Sequence, residues 1–114
     1  MAEGSIPNAN SLISVDYEVF GKVQGVFFRK YTRTFGIDMD LKGWVMNTAQ
    51  GTVVGQIQGK KKDVDAMKDW LQNVGSPKSK VEKVVFRNER TISNYAFNHR
   101  HPKTATASSN FDSR

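Results

Sequence analysis

The sequence predicts an α+β sandwich in which one antiparallel sheet carries two helices on one face. Three observations lead there. Alternating apolar and polar segments give way twice to helical spacing. The segments run strand, helix, strand, strand, helix, strand. A chain of 114 residues is long enough for one core and too short for two.

Residues 1–11 are small and polar and are expected to form a flexible arm. From Leu12, Ile13, Val15, Tyr17 and Val19 alternate with Ser14, Asp16 and Glu18, the pattern of a half-buried strand. A loop with glycines at 21 and 25 follows. Phe28, Tyr31 and Phe35 then recur at helical spacing, with Arg29, Lys30 and Arg33 between them, and Gly36 is expected to end this helix. Phe27, Phe28, Tyr31 and Phe35 are all expected in the core.

Leu41 to Asn47 and Thr52 to Gln58 read as two strands joined by Thr48-Ala49-Gln50-Gly51, where Gly51 suits a turn position with positive φ. A second helix is expected from Lys61 to Val74. Its apolar stripe is Val64, Met67, Leu71 and Val74, widened by Trp70, and Gly75-Ser76-Pro77 stops it. Lys80 to Arg87 reads as a fourth strand with Val84 and Phe86 inward, and Ile92 to Phe97 as a short fifth. Residues 99–114 have no periodicity and are expected to be a disordered tail, which leaves a domain over 12–98. Two interleaved β-α-β units make a ferredoxin-like βαββαβ sandwich, a fold that hosts many unrelated chemistries.

Composition narrows the chemistry. A formal charge of +6 and a pI near 9.7 favour anionic ligands. The chain has no cysteine, which excludes disulfides, thiolate zinc sites and a cysteine nucleophile. Its two histidines, His99 and His101, both fall in the polar tail, so no metal site is expected. No apolar run approaches the about 20 residues that span a bilayer. The N-terminus has neither a basic nor an apolar signal region, so a soluble cytoplasmic protein without a membrane partner is expected.

The loop "GKVQGVFFRK" (residues 21–30) poses the chemical question. Its glycines either serve a plain strand-to-helix turn or let backbone N–H groups face an anion at the positive end of the helix. Arg29 is either a solvated surface residue or a fork for phosphate oxygens. No Gly-Lys-Ser/Thr follows, so magnesium-dependent nucleotide hydrolysis is disfavoured. Asn47, before the hairpin turn, is either a turn former or a neutral amide that can hold a water beside a dianion.

Two segments together carry a family resemblance. Val19 to Arg29 resembles the first acylphosphatase signature, and Gly43 to Val53, closed by Gly59, resembles the second. The likeness runs from about Ser11 to Phe97. It implies hydrolysis of the carboxyl-phosphate bond of a small acyl phosphate, with inorganic phosphate as product and inhibitor, no cofactor, and a monomer. By motif position, Arg29 would bind phosphate and Asn47 would position the attacking water. Backbone N–H groups over Val23, Gln24, Gly25 and Val26, with Gly21, would complete the cradle, and Thr48 would play a supporting part. Acyl phosphates carry a good leaving group, so the lack of a protein nucleophile or acid is consistent with this chemistry. An RNA-binding sheet is the main rival, but no strand carries the aromatic motif such sheets use.

One departure stands out. The register of the closing edge strand of acylphosphatases reaches Arg100-His101-Pro102 here, and proline cannot extend a ladder except at an edge. A shortened last strand is expected, and deletion of residues 99–114 is expected to leave activity largely intact.

Overall fold

The computed structural model describes residues 8–93 and 111–114. Its elements are β1 (Leu12–Lys22), α1 (Phe28–Asp38), β2 (Lys42–Asn47), β3 (Val53–Lys60), α2 (Lys61–Asn73), β4 (Lys80–Thr91) and β5 (Phe111–Ser113). The sheet order is β4-β1-β3-β2-β5. The first four strands pair antiparallel, as expected for a ferredoxin-like sandwich, whereas β5 joins parallel to β2 and makes the whole sheet mixed. Among the described residues no helix is long and apolar enough to cross a membrane.

Strand alternation explains the core. Ile13, Val15, Tyr17 and Val19 of β1 all bury their side chains, as do Val45 of β2 and Val53 and Ile57 of β3. The helices cover this face with Phe28 from α1 and with Val64, Met67 and Leu71 from α2. Trp70 bridges the two helices, stacking on Phe35 with centroids 5.2 Å apart and tilted against Phe28 at 5.8 Å. Burial of Tyr17 in this core drives its phenol pKa far up, so the hydroxyl stays protonated and donates to the Trp44 carbonyl at 3.0 Å.

The structure departs from the sequence expectations at both ends of the chain. Residues 8–11, expected in a flexible arm, lie against the start of α2. Lys61 and Lys62 donate their N–H groups to the carbonyls of Ser11 (2.9 Å) and Ala9 (3.1 Å), so the chain itself caps the helix. The fifth strand expected at Ile92 to Phe97 is not seen in its described part, Ile92 and Ser93. β4 continues to Thr91, Ile92 and Ser93 follow outside any strand, and residues 94–97 lie outside the described part. Among the described residues the fifth strand is Phe111–Ser113, within the expected tail; residues 99–110 also lie outside the described part.

Gly36 and Phe111 account for one another. Gly36 does not end α1 but sits buried inside it, and a Cβ there would come within 2.5 Å of the Phe111 ring. Phe111 is fully buried in the resulting slot. Three further apolar residues depart from expectation, among them Phe27, expected in the core and exposed. Val74, expected in the stripe of α2, is its C-cap and is 62% exposed, and Tyr31 is 40% exposed.

Candidate active site

The loop after β1 is anchored from within. Val23 and Val26 point into the core, and the Gln24 side chain donates from Nε2 to the carbonyls of Thr48 (2.9 Å) and Thr52 (2.8 Å). The Gln24 amide is therefore spent on the β2–β3 turn, which leaves only its backbone N–H for an anion. Gly21 has a packing explanation, because a Cβ there would collide with the main chain of β4 at Lys80 and Glu82. Gly25, at positive φ (+76°) like Gly21 (+125°), differs in that the space beside it is open.

Phe27 also lies in the left-handed region, with φ 60° and ψ 25°, and makes no side-chain capping bond. An L-residue there costs about 1–2 kcal/mol. Positive φ at 25 and 27, interrupted at Val26, is the alternation that turns successive N–H groups toward one concavity. α1 begins at the next residue with no acid in its first turn, so nothing on the helix offsets the positive end of its dipole.

Arg29 and Asn47 meet at this end of the fold. Asn47 is the last residue of β2, on the same strand face as buried Val45, which is the face that α1 covers. Gly25, Arg29 and Asn47 line one cleft of about 740 Å³, and Asp112 and Ser113 of β5 line it too. The backbone crossover thus brings together both halves of the motif pair.

Sequence reasoning missed what holds Arg29. Its Nη1 donates to the main-chain oxygen of Arg114 at 2.7 Å, and Arg33, one turn later on α1, donates from Nε to the Phe111 carbonyl at 2.9 Å. Arg114 is held in turn, with its N–H 2.7 Å from the Val45 oxygen and its guanidinium 4.8 Å from the centre of the Trp44 ring. A guanidinium has five N–H donors, so the bond to Arg114 leaves most of the fork for a ligand. One signal was available: Phe111 is the only Phe, Tyr or Trp after Phe97.

Thr48 shapes the turn rather than the cleft. Its Oγ1 accepts from the N–H groups of Gln50 and Thr52, both at 3.2 Å, and lies 2.7 Å from the Thr52 hydroxyl oxygen. Thr52 Oγ1 donates to Glu18 at 2.7 Å. That bond, aided by Arg87, holds the Glu18 pKa below the usual carboxylate range. The turn that receives Gln24 is therefore braced by a charged hydrogen bond on β1.

The chain is similar over most of its length to known proteins. A family model described as Acylphosphatase matches residues 15–99. Acylphosphatase-1 of Homo sapiens is 56% identical over 92 residues, covering 81% of this chain and 88% of its own length. Acylphosphatase-1 of Xenopus laevis is 62% identical over 80 residues, covering 70% of this chain and 81% of its own. The solved structure of an acylphosphatase from Coxiella burnetii has a TM-score of 0.72 at 29% identity and covers 91% of this chain and 94% of its own. A match that takes in both helices, β2, β3 and β4, with relatives above half identity, means that this chain belongs to the acylphosphatase family.

Proposed function

We propose that the cleft hydrolyses acyl phosphates by direct attack of water on phosphorus, with Arg29 gripping the phosphate and Asn47 holding the water. The observation that carries this reading is that Gly25, Arg29 and Asn47 line one cleft at the uncompensated start of α1. The backbone N–H groups of the loop from Val23 to Val26 and the Arg29 fork neutralise charge on the equatorial oxygens. Asn47 accepts from or donates to the water without adding negative charge beside a dianion.

The water oxygen bonds to phosphorus as the bond from phosphorus to the acyl oxygen breaks. The acyl group leaves as a carboxylate, and a phosphate oxygen takes the proton of the water. A carboxylate is a good enough leaving group that positioning and charge stabilisation suffice. The product phosphate occupies the same cradle and inhibits competitively. The enzyme works in the cytoplasm as a monomer, with no cofactor and no nucleic-acid partner. The catalytic unit is the βαββαβ domain completed by β5.

The test is hydrolysis of acetyl phosphate without added metal, with inorganic phosphate as competitor. Arg29→Ala should abolish turnover and, measured by direct titration, phosphate binding. Asn47→Ala should lower kcat about a hundredfold and leave the phosphate inhibition constant near its original value. An Asn47→Ala enzyme that kept its rate but lost phosphate affinity would mean that the two roles are reversed.

A further inference from the structure

We infer that Phe27 is the acyl-group contact of this enzyme and biases it toward acyl phosphates with an aromatic or bulky apolar acyl group. The inference rests on the proposed function of the cleft. A phosphate held by the loop and Arg29 leaves the acyl group directed toward the rest of the cleft wall. That wall is polar or charged at Asn47, Asp112, Ser113 and Arg33. Only two carbon-only aromatic side chains line it, Phe27 and Phe28. Phe28 is 1% exposed and serves the core, whereas Phe27 is 72% exposed. Among the described residues, Phe27 is therefore the apolar surface the cleft has to offer.

The placement of Phe27 is built in. The sequence pattern assigns it to the core, yet the left-handed backbone at this position swings its side chain out of the helical stripe that buries Phe28. The Lys30 ammonium lies 5.9 Å from the centre of its ring, on the same lip of the cleft. The lysine adds cationic charge where an anionic substrate enters, while the free ring face suits stacking. Packing a substrate ring against it, rather than leaving both wet, accounts for an exposed aromatic at the mouth of a phosphate site.

The experiment compares benzoyl phosphate with acetyl phosphate in wild type, Phe27→Asn and Phe27→Tyr. Asparagine tolerates the left-handed backbone, so it removes the ring while keeping the shape of the loop. The inhibition constant of inorganic phosphate reports that shape. Phe27→Asn should lower the benzoyl-to-acetyl ratio of kcat/KM about three- to tenfold, through KM for benzoyl phosphate. Phe27→Tyr should restore most of the ratio. An unchanged ratio in Phe27→Asn, or an equal loss on both substrates, overturns the contact while leaving the phosphate site intact. Failure of the wild type to turn over either substrate overturns the function of the cleft and the contact with it.

Discussion

The two edges of the sheet are built on opposite plans. β4 is long, 12 residues from Lys80 to Thr91, and most of its side chains are exposed or half-buried. It pairs along nearly the whole of β1, with register shifts between Ser14 and Asp16 and between Phe20 and Gly21. β5 has three residues and is held by a single buried side chain, Phe111, in the slot above Gly36. Yet the short edge reaches the chemistry: its carbonyl at Phe111 and the main chain at Arg114 hold Arg33 and Arg29. The long edge is framework, and the short edge sets the orientation of Arg29, the side chain proposed to grip the phosphate.

The largest expected effect follows from that contrast. Phe111→Ala empties a fully buried site and should cost about 3–5 kcal/mol of stability. It should also lower turnover at temperatures where the protein is still folded, because Arg29 and Arg33 lose their anchors. Deletion of residues 111–114 should do at least as much, contrary to the expectation that the tail is dispensable. Next is Gly36→Ala, which pushes a methyl into the Phe111 ring and should cost about 1–3 kcal/mol through overpacking. On the long edge, Phe86 is only partly buried and carries Lys68 over its ring, 5.2 Å from the ring centre. Phe86→Ala should cost about 1–2 kcal/mol, less than Phe111→Ala, and leave the kcat of the folded enzyme unchanged. Thermal midpoints and kcat, measured on all four variants, check the ranking. A Phe86→Ala enzyme that lost as much kcat as Phe111→Ala would remove the functional distinction between the edges.

The same contrast marks how far the sequence could be read. β1, β2, β3, α2 and β4 are long enough for periodicity to speak, and each starts and stops within a few residues of expectation. Three residues have no measurable period, so β5 was invisible, and its register rests on one phenylalanine far along the chain. The misreading of α1 has the same origin. Its buried residues are Phe28, Thr32 and Gly36, spaced by four, of which only the first is hydrophobic. Thr32 can be buried because its hydroxyl donates to the Phe28 carbonyl at 2.8 Å, and Gly36 because Phe111 fills the space beside it. A pattern search follows large apolar residues and so followed Phe27 and Tyr31 to the wrong face. Arg29 and Asn47 were legible as a motif pair, whereas the inward use of Gln24 and the turn-building role of Thr48 depend on long-range contacts that local pattern does not encode.

The smallest expected effect lies where the framework meets the site. Glu18 on β1 accepts from Thr52 at 2.7 Å on one oxygen and from Arg87 of β4 at 3.3 Å on the other. Thr52 in turn holds Thr48 and receives Gln24, so this carboxylate links the long edge to the turn that pins the loop after β1. Its pKa in the folded protein lies below the unfolded value, first because of the Thr52 hydrogen bond and then through Arg87. In acid the unfolded chain therefore takes up the proton first. The stabilisation is fully present above the ordinary carboxylate range and is lost as pH falls through the lowered folded value. Glu18→Gln should cost about 1 kcal/mol or less at neutral pH, the scale of a partly exposed ion pair. Urea midpoints of wild type and Glu18→Gln should differ most near pH 7 and converge toward pH 3. A gap that stayed constant across that range would mean that Glu18 acts through shape and not through charge, and that the two edges are coupled only by packing.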